Sequence, residues 1–308
     1  MKRLILTLLL IVYIFTLSAC APSPAEADGI QFTDASGQTV ILPKEPKNAA
    51  VLFSSFADIW VSAGGKVEIT VGESIERGFA ASDAILVDGG AGKTIDIEAL
   101  IASNPDIVIA SADIDVQKEA AEICRKAGIP TVLLQVESFD DYLDALKLFT
   151  DITGKTELYE KYGTAVKEEI DDIKESFTYD SKTEKILFIR AGSSERSTKA
   201  KNTEQHFVCG MLKELETENI ADYAPVLLDG LSFEDILMHD PEFIFISTMG
   251  DENAAKEYMS GVLEKTEWQS LSAVKTGKVY FLPKDLFQFK PNALWAESYK
   301  YLAEILND

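Results

Sequence analysis

Beyond Gly29 the chain alternates between short apolar runs and longer amphipathic stretches. IQFTDASGQTVILP alternates apolar and polar positions around Ser36-Gly37, which predicts a hairpin. AAVLF (49–53), VEITVG (67–72), AILVD (84–88), DIVIA (106–110) and TVLLQ (131–135) predict buried strands. Between them lie stretches such as VQKEAAEICRKAG. This one places Ala120, Ile123, Cys124 and Ala127 at helical spacing, with Gly128 and Pro130 just past its end. Strand, helix, strand at this rhythm implies a parallel sheet with helices on its faces. From Lys155 to Phe177 the texture changes. Tyr159, Tyr162, Val166, Ile170, Ile173 and Phe177 form one stripe along one helix, weakened at Gly163. Such a helix is roughly 34 Å long, and YLDALKLFTDITG before it suits an antiparallel partner. KILFIR (185–190), FIFIS (243–247) and KVYFL (278–282) then resume the strands, with HFVCGMLKEL, the AAKEYMSGVL region and NALWAESYKYLAEIL as helices. The fold class is therefore α/β. A first lobe covers 30–150, a connecting helix 151–178 and a second lobe 179–308.

One segment occurs twice. IEALIASNPDIVIA (97–110) returns as FEDILMHDPEFIFI (233–246), so that Glu98 meets Glu234, Pro105 meets Pro241 and Asp106 meets Glu242. Each copy reads as a short helix opening near a Glu, ending before a Pro and leading into a strand. A carboxylate in the first helical turn is favourable toward the helix dipole by about 0.3–1 kcal/mol. The repeat is thus either architecture alone or a pair of glutamates needed in matching places.

The first residues stand apart from this rhythm. Lys2 and Arg3 precede an almost wholly apolar run from Leu4 to Leu17, and Leu17-Ser18-Ala19-Cys20 follows. A basic start, an apolar core and a small-residue cleavage site make a secretory signal. The run is short for a membrane span, which needs roughly 20 residues. Cys20 after Ser-Ala resembles the bacterial lipobox, which implies a signal peptide over 1–19 and a lipid on Cys20. Residues 20–29, with their small, polar and Pro-bearing APSPAEADG, read as a flexible tether.

Composition narrows the function classes. The 308 residues suffice for two domains, and 46% apolar and 26% charged content is that of a globular protein. The formal charge of −22 becomes −24 once Lys2 and Arg3 leave with the signal. So acidic a surface repels nucleic acid and anionic lipid. Cys124 and Cys209 sit in apolar, helix-like stretches and read as buried free thiols. With only two histidines, His206 and His239, the chain is poorly equipped to ligate a metal directly, and no cofactor is expected. GGAGKT (89–94) lacks the first Gly of a phosphate loop, since Val87 stands there. A lipid-anchored hydrolase is the enzyme alternative, but neither Gly-x-Ser-x-Gly nor His-Glu-x-x-His occurs. Against the acidic background, Arg190, Arg196, Lys199 and Lys201, with Glu195 among them, make one basic loop directly after a strand. Such a loop suits an anionic ligand.

The ordered set of segments resembles a substrate-binding lipoprotein of a bacterial ABC importer, of the ferric-siderophore, haem and cobalamin group. FTDASGQTVILPKEPKNAAVL resembles the opening hairpin and first strand. DIEALIASNPDIVIAS and SFEDILMHDPEFIFIS resemble the paired Glu-to-strand segments. SFDDYLDALKLFTDITG and the helix after it resemble the interlobe region, and VKTGKVYFLP the close of the second lobe. The resemblance implies two Rossmann-like lobes joined by a long rigid helix, with a ligand cleft between them and small closure. It implies an extracytoplasmic monomer, not an enzyme, held to a bacterial membrane through Cys20. It implies delivery of a ferric siderophore, or alternatively haem or a corrinoid, to an ABC permease and, through it, ATPase subunits. In that family a surface Glu on each lobe pairs with permease arginines, and the matching positions are Glu98 and Glu234. Ligands of such folds sit beyond strand ends. The candidate contacts are Ser54, Ser55, Phe56 and Arg77 in the first lobe. In the second they are Arg190, Arg196, Lys199, Lys201, Phe289, Lys290 and Trp295.

Overall fold

A computed structural model describes residues 29–89, 94–177 and 184–307. Signal peptide, Cys20 and all of the tether except Gly29 lie outside the described residues, as do residues 90–93 of the GGAGKT loop. The described chain opens with the hairpin β1 (Ile30–Thr33) and β2 (Thr39–Leu42), paired antiparallel. A first sheet follows, built from β3 (Ala49–Val51), β4 (Ile69–Thr70), β5 (Ile85–Leu86), β6 (Ile107–Ser111) and β7 (Thr131–Leu134). Its strand order is β5-β4-β3-β6-β7 and every pair is parallel. A second sheet has β8 (Lys185–Ala191), β9 (Lys199–Ala200), β10 (Glu218–Asn219), β11 (Phe243–Thr248) and β12 (Val279–Phe281). Its order is β10-β8-β11-β12, all parallel, with β9 folded back antiparallel on β8. All residues of β6 and β11 are buried, as expected where helices cover both faces of a parallel sheet.

The helices are α1 (Ser54–Ser62), α2 (Gly72–Glu76), α3 (Ile97–Ala102), α4 (Asp115–Lys126), α5 (Phe139–Thr153), α6 (Glu157–Tyr159), α7 (Ala165–Ser176), α8 (Phe207–Glu214), α9 (Phe233–His239), α10 (Glu252–Leu263), α11 (Ser272–Lys275), α12 (Lys284–Phe287) and α13 (Trp295–Asn307). The connection between sheets differs from the single regular helix that the apolar stripe predicts. Asp151 to Thr153 still belong to α5, which ends on left-handed Gly154. The connecting helix runs through α6 and α7 with a π-helical segment, Glu160–Thr164, between them. Within it Gly163 lies so close to Leu143 and Leu146 of α5 that an added Cβ would come within 3.1 and 3.3 Å of them. The carbonyl of Tyr162 in the same segment accepts a 2.8 Å hydrogen bond from the Tyr142 hydroxyl. Irregular backbone and a side-chain donor together let α5 pack closely against it.

One hydrophobic cluster joins the two halves. It passes from Phe56 and Trp60 of α1 through Phe149 of α5 and Ile170 of α7 to Phe188, Phe245 and Trp295. A shared core opposes large independent movements of the sheets. The repeat also acquires a backbone meaning. After α3 and α9 the chain turns through Asn104 (φ 48°) and Asp240 (φ 41°), then Pro105 or Pro241, into β6 or β11. Asn and Asp are the residues besides Gly that best tolerate this left-handed conformation. Cys124 and Cys209 are buried free thiols. Among the described residues no helix is long and apolar enough to cross a membrane.

Candidate functional site

The loops at the C-terminal ends of the strands enclose a cleft between the sheets. One chamber, of about 550 Å³, takes Phe53 from after β3, Glu73 from after β4, Asp113 from after β6 and Glu137 from after β7. Arg190 of β8, Met249 after β11 and Phe289 after β12 come from the other side. A second chamber of about 670 Å³ is lined by Asp58, Arg77, Phe79, Lys284 and Leu294 among others. Glu73, Phe289 and Lys290 line both chambers and stand between them.

Three contacts from a single segment, 289–292, bridge the lobes. The Arg77 guanidinium lies 3.9 Å from the centre of the Phe289 ring and 4.8 Å from that of Phe79, a cation–π arrangement. Arg77 Nη1 donates to Ser54 Oγ at 3.0 Å, and Ser54 donates in turn to the Glu73 carboxylate. Burial lowers the pKa of Arg77, while Asp58, Glu73 and Asp285 oppose the shift. Lys290 pairs with Glu137 across the cleft at 2.6 Å. Burial pulls its ammonium pKa down and Glu137 holds it up. Asn292, fully buried at φ 50°, donates through Nδ2 to the Ser55 carbonyl at 2.9 Å and to Asp58 Oδ2 at 2.8 Å. Burial raises the pKa of Asp58, with Asn292 and Arg77 limiting the rise.

Arg190 is placed differently. Its Nη1 lies 2.8 Å from His206 Nε2, and it makes no ion pair among the described residues. Burial lowers its pKa, yet a guanidinium stays charged in proteins. His206 lies at the N-cap of α8, between the rings of Phe188 and Phe207, each 4.7 Å away centre to centre. Burial first, then Arg190, Lys290 and Lys201, hold its pKa well below the usual imidazole range, so the ring is neutral.

Of the residues singled out in the sequence, Ser55, Phe56, Arg77, Arg190, Phe289 and Lys290 line the cleft. Ser54 does not: it is fully buried and acts through Arg77 and Glu73. Trp295 is corrected to a core residue, 1% exposed and packed edge-on against Phe139 and Phe207, because α13 turns its apolar stripe to the shared cluster. The basic loop is a hairpin, not an open ligand loop. Arg196 sits exposed on the 3₁₀ turn Glu195–Ser197, and Lys199 stands opposite Arg190 in the β8–β9 pairing. Lys201 follows on the return strand, its pKa lowered by burial and by Arg190 and Lys199. Neither Arg196, Lys199 nor Lys201 lines the two chambers. Glu98 and Glu234 are exposed in the first turns of α3 and α9.

Several lining residues escaped the sequence reading. Glu137 directly follows the predicted strand TVLLQ and Val136, so the strand-end rule extends to it. Glu73 directly follows the predicted strand VEITVG and Phe53 ends AAVLF, so the strand-end rule reaches both. Phe207 carries no signal, because its apolar neighbours in α8 read simply as core. Among the described residues no group of three or more His, Cys, Asp or Glu is arranged to hold a metal ion.

Comparison with known proteins agrees with this geometry. The profile of the periplasmic binding protein family matches residues 50–286. The uncharacterized ABC transporter substrate-binding lipoprotein YvrC of Bacillus subtilis (strain 168) is 24% identical over 273 residues, covering 86% of this chain and 82% of that protein. SirA of Staphylococcus aureus, solved in complex with staphyloferrin B, superposes with a TM-score of 0.69 at 20% identity, over 90% of this chain and 98% of the other. The periplasmic heme-binding protein RhuT of Roseiflexus sp. RS-1, solved in apo form, gives a TM-score of 0.68 at 14% identity, over 84% and 97%. At these identities the structural likeness is one of fold.

Proposed function

The chain belongs to the periplasmic binding protein family, and from that premise we propose that it captures an anionic ferric chelate, a siderophore, in the cleft between its lobes. It is a substrate-binding protein of an ABC transporter rather than an enzyme: it binds a small molecule and works with a permease and an ATPase. The single observation that carries the choice of cargo is Arg190. A half-buried guanidinium with no ion-pair partner among the described residues faces a ligand cavity. Buried charges are ordinarily paired, and an anionic ligand supplies the missing partner through forked hydrogen bonds. Phe53, Phe207 and Phe289 add apolar walls suited to a chelate's organic frame. Haem, the cargo for which RhuT is named, is supported less well. His206 turns Nε2 to Arg190 and so offers no lone pair to iron, whereas a siderophore brings its own iron ligands.

The remaining parts of the reading follow the same line. Glu98 and Glu234, one exposed glutamate per lobe in matching helices, serve as docking points for cationic groups of the permease. Cys20 carries the lipid that anchors an extracytoplasmic monomer to a bacterial membrane. Titration of tryptophan fluorescence with ferric citrate, a ferric tris-catecholate, a ferric hydroxamate, haemin and cobalamin tests the cargo. Trp295 is in edge contact with Phe207, itself a cavity wall, and reports occupancy. Saturable quenching by a ferric chelate is expected, with Arg190→Leu weakening it by about thirtyfold or more, as when one partner of a buried charge pair is lost. Quenching by haemin or cobalamin alone overturns the siderophore assignment.

A further inference from the structure

We infer that His206 is a positioning residue for cargo capture: its Nε2 holds the Arg190 guanidinium at the cavity wall without cancelling its charge. This rests on the reading of the cleft as an anion-binding site. A carboxylate in the same place would orient Arg190 equally well but would neutralise it. A neutral imidazole accepts the hydrogen bond and leaves the positive charge for the ligand.

The geometry supports a fixed role. The ring is clamped between Phe188 and Phe207, with interplanar angles of 38° and 24°. Two donors converge on it: Arg190 Nη1 at 2.8 Å from Nε2, and the Val208 amide at 3.3 Å from Nδ1. A neutral imidazole has one bare nitrogen, so it accepts only one of them. Arg190 is the closer and the charged donor, and a guanidinium has no means of accepting. Nε2 is therefore bare and Nδ1 carries the proton, so the Val208 amide faces a donor and the cap bond that Nδ1 would otherwise accept is given up. Helix capping yields to the placement of Arg190. Neither Arg190 nor His206 has a carboxylate within ion-pair distance among the described residues, whereas Lys290 beside them has Glu137.

The test separates the two ring nitrogens. Because the chain has only two histidines, a long-range proton–nitrogen spectrum of the protein labelled with ¹⁵N-histidine resolves both rings, and His239→Gln identifies the other. The expected result at pH 7 is a proton on Nδ1 of His206 and a bare Nε2. A proton on Nε2, or on both nitrogens, overturns the inference. Two substitutions then divide cap from clasp. Asn at position 206 places its oxygen near Nδ1 and offers the Val208 amide the acceptor that the protonated Nδ1 denies it. Gln reaches Nε2 and keeps the hold on Arg190. His206→Asn is expected to weaken ferric citrate or ferric tris-catecholate binding about tenfold, while His206→Gln stays within about threefold of the parent, tenfold being about 1.4 kcal/mol. Equal effects, or the reverse order, overturn it. If neither chelate binds the parent, the cargo assignment fails, and the tautomer spectrum still decides whether His206 holds Arg190.

Discussion

Asn292→Gly removes the Nδ2 donor that ties the second lobe to both the Ser55 carbonyl and Asp58. Glycine accepts the positive φ of 50° without strain, so the change reads the hydrogen bonds rather than the backbone. A neutral hydrogen bond contributes about 1 kcal/mol and one to a charged group about 1.5–3 kcal/mol. The expected loss is therefore about 2.5–4 kcal/mol, largely because the half-buried Asp58 is left without its donor. Urea unfolding at pH 7.5 measures it as a lowered midpoint at constant slope. The cycle with Asp58→Ala isolates the charged contact, and a coupling of about 1.5–3 kcal/mol is expected between the two sites. A single-variant loss below about 1 kcal/mol, or additive effects in the cycle, refutes the view that this contact joins the lobes.

Other expectations are simpler. Asp34→Ala should cost about 3–5 kcal/mol by thermal or urea unfolding, because the buried carboxylate pairs with Arg125 and accepts from Ser36 and the Leu133 amide. Burial pushes the Asp34 pKa up, but those hydrogen bonds and Arg125 outweigh it and hold it below the usual carboxylate range. Its contribution is thus present above the unfolded pKa and lost as pH falls through the folded one. Buried neutral His206 should make the parent lose stability more steeply than His206→Gln as pH falls from 7.5 to 5.5. The unfolded imidazole takes up a proton near pH 6.5 while the folded one, its pKa depressed, does not; parallel pH profiles would contradict this. Reversing both charges, Glu98→Arg with Glu234→Arg, should abolish uptake in cells while ligand titrations stay unchanged, and undiminished uptake would remove the docking role.

Much of the fold is readable because buried parallel strands are continuous apolar runs. DIVIA and FIFIS announce β6 and β11 without ambiguity, and the Asn104-Pro105 and Asp240-Pro241 turns mark where each begins. β9 and β10 escape for the opposite reason: Lys-Ala and Glu-Asn belong to no apolar run, unlike the equally short β4 and β5. The π-helical segment leaves no trace either, since Tyr159, Tyr162 and Val166 suit a regular helix equally well. In the cleft, charge at a strand end is informative. Arg190 stands at the end of β8, and strand direction alone sends it toward the ligand side. Arg196 has the same charge, but the hydrogen bonds of Thr198 to Gly192 and Ser194 draw its loop into a hairpin and leave it in solvent. Trp295 shows the limit of composition: an aromatic at a helix start looks the same in sequence whether it faces a ligand or a core.

The contact between Asn292 and Ser55 spans 237 positions of the chain. Closing so long a loop is entropically unfavourable and is repaid only by contacts already ordered on both sides. Each sheet, by contrast, is assembled from neighbouring segments. Folding should therefore complete the two lobes before it completes the cleft, since long-range contacts form late and slowly. An incompletely folded chain then has helices and sheets but no place for cargo. Binding competence becomes a report on the last step of maturation, so half-finished molecules neither sequester the ligand nor present it to the membrane machinery.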